Sequence, residues 1–292
     1  MEWRITTDDT GYTVQQFLRE KHAFSRRLLR SVKDEGGSID VNGEVHDLRY
    51  ILREGDVVNV SFPPEKVAPH LQADTVPLTI VYEDEDLLIV DKQAGLATIP
   101  SRNHPVYTLA NGLLAYYQKH DIHSTIHVVT RLDKDTSGLV LIAKHRYCHA
   151  LFARMQQSHE IRRKYIAIVK GEPIEKIATI DAPIGRKEGS IIERAVSSDG
   201  QKAVTHYRIL NTTPDGNHTF VEIELQTGRT HQIRVHMDYI GHPLIGDDLY
   251  SEKDDRIGRQ ALHCHELTFK HPLAQKELSL KAPIPADMKA LY

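Results

Sequence analysis

Thr130-Arg131-Leu132-Asp133-Lys134-Asp135-Thr136-Ser137-Gly138 runs without a break into Leu139-Val140-Leu141-Ile142-Ala143. The second half is a short unbroken apolar run, the pattern of a strand buried on both faces. The first half is a polar loop carrying the carboxylates of Asp133 and Asp135, the hydroxyls of Thr136 and Ser137, and Arg131. A loop fixed at one end by a core strand is where reactive groups are usually held, because the scaffold sets their position. On spacing alone, Asp-Lys-Asp reads first as a solvated turn.

Beyond this strand, segments 164–169, 203–210 and 220–225 are further short apolar runs with period-two character. Leu109, Leu113 and Tyr117 mark one helical stripe, and Cys148, Leu151, Phe152 and Met155 another. Many strands and few helices predict an α+β chain whose larger domain, residues 78–292, is built on a large mixed, mostly antiparallel β-sheet. No internal repeat or low-complexity tract interrupts it.

Upstream, Pro63, Pro64, Pro69 and Pro77 punctuate a stretch with little periodicity, which reads as a linker over residues 63–77. Before it, residues 1–62 predict a small α/β domain. Thr13 with Gln16 reads as a capping box ahead of Val14, Phe17 and Leu18, and Ser25 can cap a second helix that buries Leu28, Leu29 and Val32. At about 100° per residue, Arg26, Arg30 and Lys33 fall on one stripe of that helix, with Arg27 beside it. Ser38-Ile39-Asp40-Val41 then reads as a strand, Asn42-Gly43 as a turn, and another strand follows Gly55-Asp56. A basic helix face by itself is as readily an ordinary solvated surface.

A chain of 292 residues with 40% hydrophobic content can hold one substantial domain and one small one. Cys148 and Cys264 are the only cysteines, which implies no disulfide framework and fits a reducing compartment. Met1-Glu2-Trp3-Arg4 opens no apolar signal segment and the longest apolar runs have strand length, so a cytoplasmic protein without a membrane span is expected. The formal net charge of −3 supplies no global attraction for phosphate. Any nucleic acid must therefore be held by local clusters such as Arg19, Lys21, Arg26, Arg27, Arg30 and Lys33, among which Glu20 is the single acid.

The stretch 131–139, Arg-Leu-Asp-Lys-Asp-Thr-Ser-Gly-Leu, resembles the signature of the RluA-type RNA pseudouridine synthases. Arg163-Lys164-Tyr165-Ile166-Ala167-Ile168-Val169-Lys170-Gly171 and Thr227-Gly228-Arg229-Thr230-His231-Gln232-Ile233-Arg234-Val235-His236 resemble two further segments of that family, in the same order. With the segment at 82–92 upstream and Gly241-His242-Pro243-Leu244-Ile245-Gly246-Asp247 downstream, the resemblance covers about residues 78–292. Thr130 stands where the family commonly has His, and Gln93 where a Pro usually precedes the small residue and Gly95-Leu96; neither replaces a group that does the chemistry. The helix-helix-strand unit before residue 63 resembles the S4 RNA-binding domain, which often precedes this catalytic domain.

The resemblance implies a reaction that breaks the bond from C1′ to N1 of a uridine, turns the uracil and joins C1′ to C5, after which the C5 proton leaves. It assigns the carboxylate at the sugar to Asp133 and not to Asp135, whether that carboxylate attacks directly or assists formation of a glycal. A carboxylate suits the role because it needs no deprotonation at neutral pH. Tyr165 opens a strand on which its ring would share a face with Ala167 and Val169. A core tyrosine is the commoner fate of such a residue. The family's motif instead implies a ring that stacks on the uracil and a hydroxyl with a part in the C5 proton transfer.

Gly228 and Thr230 read as a turn and N-cap, launching a helix that Gly241 ends. Ile233, Met237 and Ile240 would form its buried face, with His231, Arg234 and Asp238 pointing elsewhere. By resemblance Arg234 pairs with Asp133. Arg131 in the loop and Arg229 at the turn are expected to contact RNA, as are Arg26, Arg27, Arg30 and Lys33.

With 18 histidines, a metal site has to be weighed. His231 and His236 are five apart, about 140° around a helix and so not on one face. His263-Cys264-His265 reads as the end of a strand with neighbouring side chains on opposite sides, which His145-x-x-Cys148-His149 would have to join. No metal and no organic cofactor are expected. A competing reading takes Asp133-Lys134-Asp135 as the start of an aspartate-based phosphotransferase motif, with Asp247-Asp248 or Asp254-Asp255 as late carboxylates for Mg²⁺. It fails in detail, because Thr136 is one residue early and the apolar strand follows the aspartates when it should precede them. A non-catalytic RNA-binding protein is a third reading. The expectation is a monomeric RNA pseudouridine synthase acting on structured RNA, with large-subunit ribosomal RNA favoured and tRNA the alternative.

Overall fold

In the computed structural model, which describes residues 1–291, the chain opens with β1 (Glu2–Arg4), α1 (Val14–Gln16), α2 (Arg26–Asp34), β2 (Ser38–Val41), β3 (Glu44–Val45) and β4 (Val57–Ser61). These strands form an antiparallel sheet in the order β1-β4-β2-β3. The local signals explain each element. Thr13 accepts a hydrogen bond from Gln16 N at 3.2 Å while the Gln16 side chain accepts one from Thr13 N at 3.0 Å, closing the capping box of α1. Ser25 caps α2 by accepting from Leu28 N at 3.0 Å. Asn42 and Gly43 both take positive φ, 56° and 82°, which turns β2 tightly into β3.

Next come β5 (Thr79–Glu83), β6 (Leu87–Lys92), α3 (Leu109–Lys119), β7 (His127–Val128), β8 (Ser137–Ala143), α4 (Arg146–Gln157), β9 (Arg162–Lys170) and β10 (Ile177–Asp181). The chain continues through β11 (Ile184–Arg186), β12 (Arg194–Val196), β13 (Val204–Thr212), β14 (His218–Leu225), α5 (Gln232–Tyr239), β15 (Leu262–Lys270), β16 (Glu277–Lys281) and α6 (Ala286–Lys289). Ten of these strands make one sheet, ordered β10-β13-β14-β9-β15-β8-β6-β5, with β16 on β15 and β7 on β8; β11 and β12 pair only with each other. Among the described residues β8 and β15 are the one parallel pair. The fold is therefore α+β on a large mixed, mostly antiparallel sheet. Every residue of β8 is buried, as the unbroken apolar run required.

Alternation along β9 sorts its side chains as strand geometry demands. Tyr165, Ala167 and Val169 enter the main core, whereas Ile166 and Ile168 enter a second cluster with Phe220, Ile245 and Met288. The apolar centre of residues 1–62, built on Phe17, Leu18, Phe24, Leu28, Leu29 and Val32, is completed by Tyr147 from α4. The Tyr147 ring lies 4.8 Å from that of Phe24 and 5.6 Å from that of Phe62.

Residues 62–78 form no helix or strand, yet they are tied down. Glu65 accepts from Arg146 N at 2.7 Å and sits 2.5 Å from His127 Nε2, and Val76 is buried in the main core. No described helix is long and apolar enough to cross a membrane.

Candidate active site

The loop between Thr130 and β8 is held from several sides. Thr130 is buried, and its hydroxyl accepts from Leu141 N at 2.9 Å, so the residue that departs from the expected His closes the loop onto β8. Thr98 donates to Leu132 O at 2.7 Å, and the buried Lys92 ammonium donates to Lys134 O at 3.0 Å. Arg259 donates to Asp135 O at 3.2 Å, and Gln260 to the Thr136 hydroxyl at 3.1 Å. Burial pushes the Lys92 ammonium down to about 7, against the pull of Asp135 and Asp133. Gly138 is required where the loop meets the sheet: it has φ of 112°, and a Cβ there would lie 2.2 Å from Cys264 O on β15. Its lack of a side chain lets β8 and β15 run in parallel contact below the loop.

These anchors leave the Asp133 side chain half-exposed in a cleft lined also by Arg131, Thr136, Arg163, Tyr165, Arg229, His231 and Arg234. Arg234 Nη1 donates to Asp133 Oδ2 at 3.2 Å. Most of the Arg234 guanidinium is used elsewhere, because Nε and Nη2 donate to the two oxygens of the fully buried Asp247 at 2.6 and 2.7 Å. That two-point grip fixes the plane of the guanidinium and leaves its remaining nitrogen for Asp133. Burial alone would lower the Arg234 pKa, but Asp247 and Asp133 together hold it above the ordinary arginine value. The Tyr250 ring lies 5.1 Å from the same guanidinium. The sequence offers Asp247 as a possible metal ligand and as the end of a motif segment without an assigned role; its bidentate hold on Arg234 emerges from the fold.

Tyr165 is almost fully buried, with its hydroxyl 3.4 Å from Arg163 Nη1. Burial raises its pKa, with Arg163 acting in the opposite direction. Arg163 stands in its motif without an assigned role; its position two residues before Tyr165 on one strand is the signal that puts both on the same face.

The helix α5 differs from its expected form in two ways. Its N-cap is His231, in the left-handed region at φ 57°, and not Thr230, and no side chain caps it; the side chain of Gln232 ties down the turn before the helix, accepting from Arg229 N at 2.9 Å. It is also buried on most sides: Gln232, Arg234, Val235 and His236 are buried along with Ile233 and Met237, whereas Ile240 is only half-buried. Val235 packs with Ile184 and Ala203, and the chain around Asp247 covers Arg234, so the supposed outer side of the helix is roofed by segments distant in sequence.

Asp135 does not line the cleft. Arg131 and Arg229 are exposed at its rim, with Arg229 Nε donating to Lys202 O at 3.0 Å. Arg26, Arg27, Arg30 and Lys33 are all exposed on α2, away from these lining residues. Arg27 and Arg30 line a separate hollow of about 760 Å³ shared with His127, Arg146 and His149.

The histidine sets that could suggest a metal are engaged otherwise. His145 accepts from Cys148 N through Nδ1 and faces Asp86 through Nε2 at 3.0 Å, while Cys148 is buried and its thiol pKa is pushed up. Both nitrogens of His236 have protein partners, Thr205 and Ala182. His263-Cys264-His265 opens β15 and does not end it, because pairing with β8 begins at His263. The Asp84, Asp86 and His271 side chains converge, with candidate ligand atoms within 4.8 Å. However, His271 Nδ1 accepts from Leu273 N and Ala274 N at 3.1 and 2.9 Å, so the proton of the neutral ring sits on Nε2, which lies 3.1 Å from Asp84 Oδ2 without a hydrogen bond to it. This tautomer has no lone pair to offer a metal at Nε2.

A family description of RNA pseudouridylate synthases matches residues 86–239. The RNA pseudouridine synthase YjbO of Bacillus subtilis (strain 168) is 48% identical over 96% of this chain and 98% of its own length. The ribosomal large subunit pseudouridine synthase D of Zymomonas mobilis is 37% identical, covering 92% of this chain and 88% of that one. Among solved structures, human RNA pseudouridylate synthase domain containing 1 superposes with a TM-score of 0.59 at 25% identity, covering 72% of this chain and 85% of that one.

Proposed function

The chain belongs to the RNA pseudouridylate synthase family, an isomerase that converts uridine in RNA to pseudouridine, and from that premise we propose that Asp133 is its nucleophile and large-subunit ribosomal RNA its substrate. The observation that carries this reading is the contact of Asp133 Oδ2 with Arg234 at 3.2 Å in the cleft that also holds Tyr165. With Oδ2 engaged by Arg234, Oδ1 is the oxygen left to meet the anomeric carbon as the bond to N1 breaks. The loop anchors at Lys92, Thr98, Arg259 and Gln260 supply the fixed geometry that such an attack requires.

Tyr165, whose pKa burial raises, serves in this reading by stacking its ring on the detached uracil, with its hydroxyl taking a part in the C5 proton transfer. Arg163 beside it is placed to steady the turning ring. The name carried by the Zymomonas mobilis relative favours ribosomal RNA over tRNA. The phosphotransferase reading has no support, since Asp247 is committed to Arg234 and the sheet is mostly antiparallel. Mapping pseudouridines in total RNA from cells with and without the protein tests the assignment. Loss of one or a few sites in large-subunit RNA is expected, and losses confined to tRNA would overturn the choice of substrate.

Residues 1–62 act in this reading as an S4-like RNA-binding domain, joined through 63–77 to the catalytic domain at 78–292, and the exposed Arg26, Arg27, Arg30 and Lys33 meet the phosphate backbone. Replacing these four by Gln should weaken RNA binding and flatten its salt dependence, by roughly 0.7 to 0.9 in log–log slope for each phosphate that is no longer neutralised. Filter binding across a salt series measures this. Equal affinity and equal slope in the variant and the parent protein would show that α2 does not touch RNA.

A further inference from the structure

We propose that His231 is a positioning residue for the isomerisation, which holds the Asp133 carboxylate through its Nε2–H, and that Tyr250 fixes the tautomer that makes this possible. The inference rests on Asp133 being the reacting carboxylate.

Three contacts carry it. Arg194 N donates to the Tyr250 hydroxyl oxygen at 2.8 Å. A phenol has a single hydrogen, so the hydroxyl remains free to donate, and His231 Nδ1 lies 2.9 Å away. An Nδ1 that accepts leaves the proton of a neutral imidazole on Nε2, and this nitrogen faces Asp133 Oδ2 at 3.9 Å. The neutral state agrees with the surroundings: burial lowers the His231 pKa, the cations Arg234 and Arg194 lower it further, and Asp133 and Asp247 pull the other way.

The backbone adds an independent observation. His231 occupies the left-handed region at φ 57°, a conformation that a non-glycine residue keeps only where its surroundings over-determine it. No side-chain cap bond holds this N-cap, and the bond with Tyr250 is the side-chain hydrogen bond that His231 makes there.

Arg234 and His231 approach the same oxygen of Asp133. At 3.9 Å the imidazole is just out of hydrogen-bond reach, and a movement of about 1 Å by the half-exposed carboxylate completes the bond. With Oδ2 held by two donors, the carboxylate cannot swing, and Oδ1 keeps its line to C1′. Tyr250 thereby links the hairpin of β11 and β12, through Arg194, to the orientation of the nucleophile.

The test compares single-turnover tritium release from large-subunit ribosomal RNA transcripts labelled at uridine C5, with RNA affinity and melting temperature measured beside it. His231→Leu is expected to slow release about 100-fold with RNA affinity unchanged. His231→Gln, whose amide N–H reaches the place of Nε2, should recover at least about tenfold of that loss. Tyr250→Phe keeps a ring over Arg234 and loses only the hydroxyl, and should slow release about tenfold. Equal rates in the Leu and Gln variants, or a parental rate in Tyr250→Phe, would overturn the proposal even where His231→Leu fails to fold. Asp133→Asn serves as the control: if it is inactive while the His231 and Tyr250 variants match the parent, the positioning role alone is wrong. If it is active, the assignment of the nucleophile is wrong and this role goes with it.

Discussion

Asp133→Asn should abolish tritium release from RNA labelled at uridine C5, a fall of roughly 10⁴-fold or more, while RNA binding stays largely intact. Asn has nearly the size of Asp but cannot act as an anionic nucleophile or form the charged contact with Arg234. Because the Asp133 side chain is half-exposed, the substitution should change stability little, by about 1 kcal/mol or less. The neighbouring Asp135→Asn is the matched comparison. Its carboxylate does not line the cleft, and the loop is anchored there through the Asp135 carbonyl, which the substitution keeps. Substantial activity is therefore expected to remain. Reversed behaviour of the two variants would mean that the nucleophile has been assigned to the wrong aspartate.

Asp247→Asn should be the most damaging change to the fold of the site. It removes the buried charge that faces Arg234, whose side chain is itself buried, and leaves the guanidinium with only the half-exposed Asp133 as counter-ion. Breaking a buried pair from one side typically costs about 3–5 kcal/mol, and the remaining contact with Asp133 puts the expected loss toward the lower end of that range. The midpoint of urea unfolding should fall accordingly, and activity should fall with it as Arg234 loses the grip that aims Nη1 at Asp133. Adding Arg234→Met to Asp247→Asn should restore much of the stability, since an apolar pair tolerates burial, and should restore none of the activity. A double variant as unstable as the single one would show that the ion pair is not the source of the loss.

The parts of the molecule that are legible in the sequence are those fixed by local chemistry. The capping box at Thr13, the cap at Ser25, the turn at Asn42 and Gly43 and the unbroken run of β8 each depend on residues a few positions apart, and each forms as its pattern predicts. The fold class follows from the same patterns. The environment of α5 is not legible, because its second buried side is made by the β11–β12 hairpin and by the chain around Asp247, which only the assembled topology brings near.

The same holds for the cleft. Asp133 and Arg234 are 101 residues apart in sequence, and no spacing rule brings them together; the motif resemblance names the pair, and the fold puts their side chains in contact. The motif segments contain His231 and Asp247 without giving either its part in the cleft, for a related reason. Their part depends on which nitrogen or oxygen faces which partner, and a sequence does not state that.

Tyr147 has a consequence for how this molecule can change over evolutionary time. It belongs by chain position to a helix of the large sheet, yet its ring fills the aromatic cluster of Trp3, Phe24 and Phe62 at the N-terminal end. An ancestor or descendant that shed the first sixty or so residues would be left with this ring facing water, so deletion and replacement of Tyr147 would have to arrive together. Exchange of the N-terminal unit for another would face the same lock, since the incoming unit must present a socket of matching shape. The two units are therefore expected to change together, with substitutions at Phe24 or Phe62 compensated at Tyr147 in lineages that carry them.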